Sequence, residues 1–398
     1  MKEEKIKKAL TRGVEAIYPS PEALEGALKS GKVLKIYNGI DPTGKLHIGH
    51  GIILRKLKEF QDLGHKIIIL IGDFTAQIGD PTDKMAARIP LTHKQALKNA
   101  KKYKKQIGKI LDLKKTEFVY NSKWLSNLNL TQVLKLASYF TAQQTLARDM
   151  FQERIRAGKD LYLHEFLYPL MQSYDSVVLN VDLEIGGNDQ MFNMLCGRTL
   201  MKRLRNKEKL VLTTKLLVDS TGKKMGKTEG NVINLDDKPQ EMYGKIMSWP
   251  DEMIIDGLEI CTDIPMSQIK EMERKLKKEA VNPRDLKMLL AREIVTQYHS
   301  QDKAQRAEEN FKKIFQRHET PQNLPEYKVK NKKYTAVELL IESKLVKSKG
   351  EARRVIEQKG VSIDKKIVKD INLEITIPKE GVIIQKGKRH FIKIKGFV

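Results

Sequence analysis

A strand, a tight turn and a helix start meet within one short stretch, Tyr37-Asn38-Gly39-Ile40-Asp41-Pro42-Thr43-Gly44-Lys45-Leu46-His47-Ile48-Gly49-His50. Val33, Leu34, Ile36 and Ile40 form a short apolar run, and Asp41-Pro42-Thr43-Gly44 is turn chemistry, so a strand ends near Ile40. From Leu46 the apolar residues Ile53, Leu57 and Phe60 recur at helical spacing, and Gly64 closes the segment. Lys66 to Ile71 is then a near-continuous isoleucine run, which reads as a buried strand parallel to the first. The unit is β-α-β, so the fold class is α/β.

His47 and His50 stand three positions apart and would share one face of a helix, at the end where free N–H groups and the helix dipole favour anions. A phosphate would be at home there. Gly49 leaves the backbone uncovered, so a flat group such as a purine could approach it. A single histidine at a helix start is usually an ordinary cap or surface residue, and the rest of the chain decides between these readings.

A chain of 398 residues exceeds one comfortable core, so two or three domains are expected. Its formal net charge of +24 points to a polyanionic partner, nucleic acid before membrane, although a lysine-rich proteome gives the same composition. Cys196 and Cys261 are far apart and lack metal-ligand spacing, which fits a reducing cytoplasm and no zinc site. The opening segment MKEEKIKKALTRG carries acids and no apolar core, so it does not read as a secretory signal. No run is long enough to span a bilayer.

Gly72-Asp73-Phe74-Thr75-Ala76-Gln77-Ile78-Gly79-Asp80-Pro81-Thr82 follows the isoleucine strand, at the edge where ligands of open α/β sheets collect. Lys84 and Arg88 come next; such charges are usually solvated, but Asp80 could hold an ammonium while the two cations face phosphates. Residues 90 to 165 read as amphipathic helices, with Trp124, Leu128, Leu130, Leu134, Leu136 and Phe140 as packing. Tyr168, Gln172 and Asp175 lie at i, i+4 and i+7 and would project from one helix face. That triple fits a satisfied core network and a binding site equally well. Ser176 to Leu183 reads as an apolar strand leading into Gly186-Gly187-Asn188-Asp189-Gln190. Asp219 to Asn231, with Lys224, Lys227 and Thr228 among glycines, is a loop able to fold over a polyphosphate, yet it lacks P-loop spacing.

Leu235 to His318 is helical in pattern, with Asn282-Pro283 opening one helix. Pro321 to Lys333 reads as a linker. Thr335 with Glu338, and Ser348 with Glu351, form capping boxes of two short helices, and short strands follow at 361–363, 375–377, 382–384 and 391–394. From Asn331 onward the tail holds 17 Lys/Arg against 8 Asp/Glu, and Lys347, Lys349, Arg353 and Arg354 cluster on one helix. A small basic module of this kind reads as a nucleic-acid clamp rather than as a merely solvated face.

His47-Ile-Gly-His50 and Lys224-Met-Gly-Lys227-Thr228 resemble, in order, the two signature motifs of the class I aminoacyl-tRNA synthetases. Tyr37, Asp80-Pro81, Tyr168-x3-Gln172-x2-Asp175 and Gly186-Gly-Asn-Asp189-Gln190 are similar to the bacterial tyrosyl-tRNA synthetases within that class, over nearly the whole chain. The resemblance implies a Rossmann-like parallel-sheet catalytic domain over 1–232, a helical anticodon-region domain over 233–320, a linker over 321–332 and a small α+β RNA-binding domain over 333–398. It implies that Tyr37 and Asp175 hold the tyrosine hydroxyl, while Asp80, Tyr168 and Gln172 hold its ammonium. Asp189 and Gln190 would face the ribose and the reacting carboxylate, and Asp41, Thr43 and Gly49 would line the nucleotide. His47 and His50 would contact ATP, with Lys84, Arg88, Lys224, Lys227 and Thr228 closing on pyrophosphate. Gly226 stands where serine is commonest in the class, and Asn38 where several relatives carry cysteine.

The implied reaction is activation of L-tyrosine by ATP to tyrosyl-adenylate, then transfer to the 3′ end of tRNA(Tyr), by a cytoplasmic homodimer with Mg²⁺ entering on ATP. An attacking carboxylate is already ionised, so the first step needs positioning and cations rather than a nucleophile or a base. Two rivals remain at this point. A tryptophanyl-tRNA synthetase shares the fold, but Gln172 and Tyr37 argue against an indole. A synthetase-derived RNA-binding protein without activity could have lost Asp80, Lys227 or a histidine, and this chain keeps them.

Overall fold

The computed structural model describes residues 2–81, 91–218, 232–315, 324–329, 331, 333–378, 380–387 and 390–396. Two compact units divide the chain, Met1–Arg306 and Ala307–Val398.

In the first unit β1 (Val14–Tyr18), β2 (Lys35–Ile40), β3 (Lys66–Ile71), β4 (Thr116–Tyr120), β5 (Leu183–Gly187) and β6 (Leu210–Thr214) form one sheet in the order β1-β6-β5-β2-β3-β4. All neighbours pair in parallel except β1 with β6. Ile36 to Ile40 lie opposite Ile67 to Ile71, so the isoleucine run is the central register of the sheet. The chain runs outward from β2 through β3 to β4, then returns to lay β5 and β6 on the other side of β2. Strand order therefore reverses between β2 and β5, and the crevice beyond their C-terminal ends is the natural ligand site of such a sheet.

Three sequence expectations are corrected here. Residues 116–120, placed among helices by their lysine-rich surroundings, form β4, in which Val119 alone is buried, as fits the strand at the end of the sheet order. Ser176 to Leu179 are not strand but the last turn of the Leu163–Leu179 helix, which ends on Asn180 at φ 49°. The strand starts only at Leu183; helix and strand share one apolar run, and periodicity alone cannot divide it. Leu130 and Leu134, read as packing, are 74% and 61% exposed.

After β6 come helices Pro239–Met247, Met253–Cys261, Met266–Lys277, Pro283–Tyr298 and Gln301–Phe315. Asn282 caps the fourth through the Arg284 N–H at 3.0 Å. Among the described residues no helix is long and apolar enough to cross a membrane.

The second unit has its own core, built from Val329, Leu339, Leu340, Ile356, Val361, Ile384 and Ile394. Its five-stranded sheet follows β10-β9-β12-β13-β7, where β7 is Glu326–Val329, β9 Val361–Ile363, β10 Lys366–Ile367, β12 Val382–Lys386 and β13 His390–Gly396, while β8 (Lys333–Thr335) and β11 (Glu374–Thr376) pair with each other. β7 falls inside the span read as a linker and pairs in parallel with β13. Thr335 opens its helix with a full capping box, whereas at Ser348 the return bond from Glu351 reaches the Lys347 N–H at 2.8 Å. Lys347, Lys349, Arg353 and Arg354 are all exposed; Lys347 stands just before the Ser348 cap rather than on the helix, and the other three lie on the Lys349–Glu357 helix that buries Ala352 and Ile356.

Candidate active site

Two polar networks occupy the crevice at the switch point. The first begins at Asp175, which is 2% exposed on the Leu163–Leu179 helix. Trp124 Nε1 donates to its Oδ1 at 2.7 Å and Asn121 Nδ2 to its Oδ2 at 3.2 Å. Burial drives the Asp175 carboxyl well above the ordinary range, and these two donors pull against it. Asn121 Nδ2 also reaches Thr75 Oγ1 at 3.1 Å, Thr75 donates to Asp41 Oδ1 at 2.7 Å, and the Tyr168 hydroxyl donates to Asp41 Oδ2 at 2.9 Å. Gly72 makes room for this: a Cβ there would lie 1.9 Å from Asp41 Oδ1.

The second network lies under Tyr37, which is 1% exposed on β2. Its hydroxyl bonds Ser176 Oγ at 2.8 Å, and burial, with Glu184 and Asp175 nearby, pushes its ionisation well above the ordinary phenol range. Gln172 Nε2 donates to Glu184 Oε1 at 3.1 Å, and Glu184 Oε2 accepts from the buried Lys209.

At the crevice mouth Gln190 Nε2 donates to Asp80 Oδ2 at 2.6 Å, and Asn193 holds Gln190 Oε1 at 3.0 Å. Asp189 and Gln190 sit in a 3₁₀ turn between β5 and the Met191–Arg205 helix. Gly187 leaves room for the Asp189 carboxylate in its present place, since a Cβ would fall 2.5 Å from Asp189 Oδ1. Asn38 is buried and donates to Ile185 O at 2.9 Å, joining the two switch-point strands. Asp41 and Thr43 lie in the turn after β2, where the Thr43 N–H donates to Asp41 O at 2.8 Å.

His47 corrects its expected position. It is the N-cap, in extended conformation, and only Ile48 to Asp62 are helical, with His50 in the first turn. The rings still meet, their centroids 4.1 Å apart. His47 Nδ1 accepts the Gly49 N–H at 3.2 Å, and His50 Nδ1 accepts the His47 N–H at 3.2 Å. Both Nδ1 atoms are acceptors, so each neutral ring carries its proton on Nε2 and presents an N–H donor there.

The crevice thus brings together Tyr37, Tyr168, Gln172 and Asp175, and joins Asp80 to Gln190. Lys84, Arg88, Lys224, Lys227 and Thr228 lie outside the described residues. Sequence reasoning missed Asn121, Thr75, Ser176, Glu184 and Lys209, and it assigned Trp124 to packing. A signal existed for three of them: Asn121 directly follows the apolar end of β4, Glu184 interrupts the apolar β5, and Lys209 immediately precedes the wholly buried β6.

A sequence model of the family "tRNA synthetases class I (W and Y)" matches residues 29–316, and one of the "Tyrosine--tRNA ligase SYY-like C-terminal domain" matches residues 316–394. The first does not separate tryptophan from tyrosine. A tyrosine–tRNA ligase of Carboxydothermus hydrogenoformans is 46% identical over 97% of this chain and 96% of its own. The chain belongs to the tyrosyl-tRNA synthetases. A second relative from this synthetase family, in Thermotoga maritima, is 43% identical over 99% of this chain and 98% of its own. The tyrosyl-tRNA synthetase structure of Archaeoglobus fulgidus, complexed with L-tyrosine, matches with a TM-score of 0.62 and 25% identity over 77% of this chain and all of that one. The fold is thus shared with a solved tyrosyl-tRNA synthetase.

Proposed function

We propose that the chain acts as a class I tyrosine–tRNA ligase through this crevice, with the hydroxyl of L-tyrosine lodged between Tyr37 and Asp175. The observation that carries this reading is Asp175: a buried carboxyl whose two oxygens are aimed by an indole and an amide N–H. Such a group accepts a proton donor that reaches it, and phenylalanine would leave it unpaired at a cost. Asp80, Tyr168 and Gln172 would receive the ammonium, which adds positive charge beside several carboxylates. Gln190 would leave Asp80 and turn to the reacting carboxylate.

That carboxylate attacks the α-phosphorus of ATP, releasing pyrophosphate and forming tyrosyl-adenylate. The Nε2–H groups of His47 and His50 would donate to the phosphates as negative charge builds. Lys84, Arg88, Lys224, Lys227 and Thr228 would add cations and a hydroxyl at the pyrophosphate, and Asp41, Thr43, Gly49 and Asp189 would border the nucleoside. In the second step the terminal ribose hydroxyl of tRNA(Tyr) takes the tyrosyl group. Mg²⁺ would arrive as part of the MgATP substrate, held mostly by phosphate oxygens.

Residues 1–232 would carry the chemistry, 233–320 the anticodon-side helices and the basic C-terminal module further tRNA contacts. A cytoplasmic location accords with buried cysteines that form no disulfide. A homodimer would cover Leu130, Leu134 and Leu163, which are 74%, 61% and 85% exposed on helices between β4 and β5. ATP–pyrophosphate exchange with tyrosine, phenylalanine and tryptophan tests the substrate assignment. Only tyrosine should support rapid exchange, and tryptophan turning over with a comparable kcat/KM would overturn it.

A further inference from the structure

Lys209 is 0% exposed, directly before β6, and its ammonium has three protein acceptors. They are the carboxylate of Glu184, Ser176 Oγ at 2.9 Å and Met194 O at 3.1 Å. Gly197 permits the approach, because a Cβ there would stand 2.4 Å from Lys209 Nζ and 3.0 Å from Ser176 Oγ. The ammonium also lies 5.8 Å from the centroid of the Tyr37 ring. No step of tyrosine activation or transfer calls for this lysine, yet a buried charge is expensive to maintain without a purpose or a partner.

A lysine ammonium only donates, so Ser176 Oγ must accept from it. Among the described residues Ser176 Oγ has one other partner, the Tyr37 hydroxyl at 2.8 Å. Were Tyr37 the donor, the buried serine proton would have no acceptor among the described residues, so that proton goes to the phenol oxygen of Tyr37. That oxygen is an acceptor toward Ser176, and the Tyr37 proton is turned away from the serine, toward Glu184, with which the hydroxyl also hydrogen-bonds. Glu184, which also accepts from Gln172 and Lys209, holds that proton until a substrate hydroxyl oxygen takes its place.

We propose that Lys209, through Ser176, is a positioning residue for amino-acid selection: it fixes the direction of the hydrogen-bond chain so that Tyr37 donates to the substrate hydroxyl oxygen. The substrate hydroxyl then has its own proton left for Asp175. One ammonium thus sets the direction of three successive hydroxyls, those of Ser176, Tyr37 and the substrate, and the carboxylate of Glu184 that holds it also holds the Gln172 amide. The inference rests on the reading that Tyr37 meets the substrate hydroxyl.

The experiment measures kcat/KM for tyrosine and for phenylalanine in ATP–pyrophosphate exchange, with wild type, Tyr37→Phe, Ser176→Ala, Ser176→Thr and the neutralised pair Lys209→Met with Glu184→Gln. The pair avoids leaving one buried charge alone and should lower the tyrosine-to-phenylalanine ratio as Ser176→Ala does, a folded pair with the wild-type ratio removing Lys209 from the chain; Ser176→Ala is a small change that tests the chain even where the pair does not fold. Ser176→Ala should lower the tyrosine-to-phenylalanine ratio by roughly tenfold, mainly through KM for tyrosine, with phenylalanine and ATP parameters unmoved. Ser176→Thr, which keeps a hydroxyl, should restore most of the ratio. A ratio that falls in Tyr37→Phe but stays at the wild-type value in Ser176→Ala overturns the positioning role. Equal losses for both amino acids in Ser176→Ala would leave only packing and overturn it as well. A ratio unchanged in Tyr37→Phe instead removes Tyr37 from the hydroxyl, which is failure of the underlying reading.

Discussion

The indole N–H of Trp124 lies 2.7 Å from Asp175 Oδ1, so a residue of the helix after β4 aims a carboxylate on the Leu163–Leu179 helix. Burial favours the protonated acid, and the indole favours the ionised form that can accept from a substrate hydroxyl. Trp124→Phe removes the donor while keeping much of the apolar volume. It should lower kcat/KM for tyrosine by roughly tenfold to a hundredfold, the range for losing a hydrogen bond to a charged group. With the donor gone the Asp175 pKa rises, so the acid limb of the kcat/KM profile should move to higher pH. Exchange assays across a pH series read both effects. A rate loss with an unshifted limb would mean that Trp124 acts through packing.

His47 joins a structural duty to a chemical one, and a substitution can part them. Asparagine is a good N-cap and places an acceptor where Nδ1 takes the Gly49 N–H, but it has nothing at the Nε2 position. His47→Asn should therefore melt within a few degrees of wild type while single-turnover adenylate formation slows by about 10² or more. Tyrosine affinity, measured by equilibrium binding, should hold. A large fall in melting temperature would place the importance of His47 in the cap.

Asp182 offers a test of stability against pH. It accepts from Lys32 Nζ at 2.8 Å and from the Lys35 N–H at 2.8 Å, and Lys207 lies 3.0 Å away, so it ties the entry of β2 to the entry of β5. Burial alone would raise its carboxyl, but these partners outweigh burial and hold it below the ordinary range. A lowered folded-state pKa means that the unfolded chain binds the proton more readily, so this contribution is present above the unfolded value, about 3.9, and is lost as pH falls through the depressed one. Asp182→Asn should thus be less stable than wild type at neutral pH, with the gap closing in acid. Urea midpoints over a pH series follow it, and a gap independent of pH would contradict the linkage.

What the sequence disclosed about the site was local. Tyr168, Gln172 and Asp175 could be aligned because helical spacing alone puts them on one face. The β2-turn-helix-β3 unit was legible because Asp41-Pro42-Thr43-Gly44 separates two apolar runs of different period. His47 as a cap was not, because the helix signal does not say whether a histidine at its edge is inside or half outside. Ser176 was hidden by an apolar run continuous from helix to strand. Trp124 with Asp175, and Lys209 with Ser176, are tertiary pairings across the sheet topology, and no spacing in the chain records them.

The basic tail brings charge and architecture into one prediction. Its core of Val329, Leu339, Ile356, Ile384 and Ile394 is self-contained, and the exposed Lys347, Lys349, Arg353 and Arg354 lie away from it. A chain ending at Phe315 should therefore keep ATP–pyrophosphate exchange with tyrosine and lose efficient tRNA charging. Each lost phosphate contact should also reduce the log–log salt dependence of tRNA binding, by roughly 0.7 to 0.9 per contact. Replacing the four cations by glutamine in the full chain separates charge from mere presence of the module: it should flatten the salt slope while exchange and melting temperature stay put. Exchange, aminoacylation and tRNA affinity over a salt series are measured for all three chains. Normal charging by the shortened chain, with an unchanged slope, would make the module a bystander and move the origin of the +24 charge to the other unit.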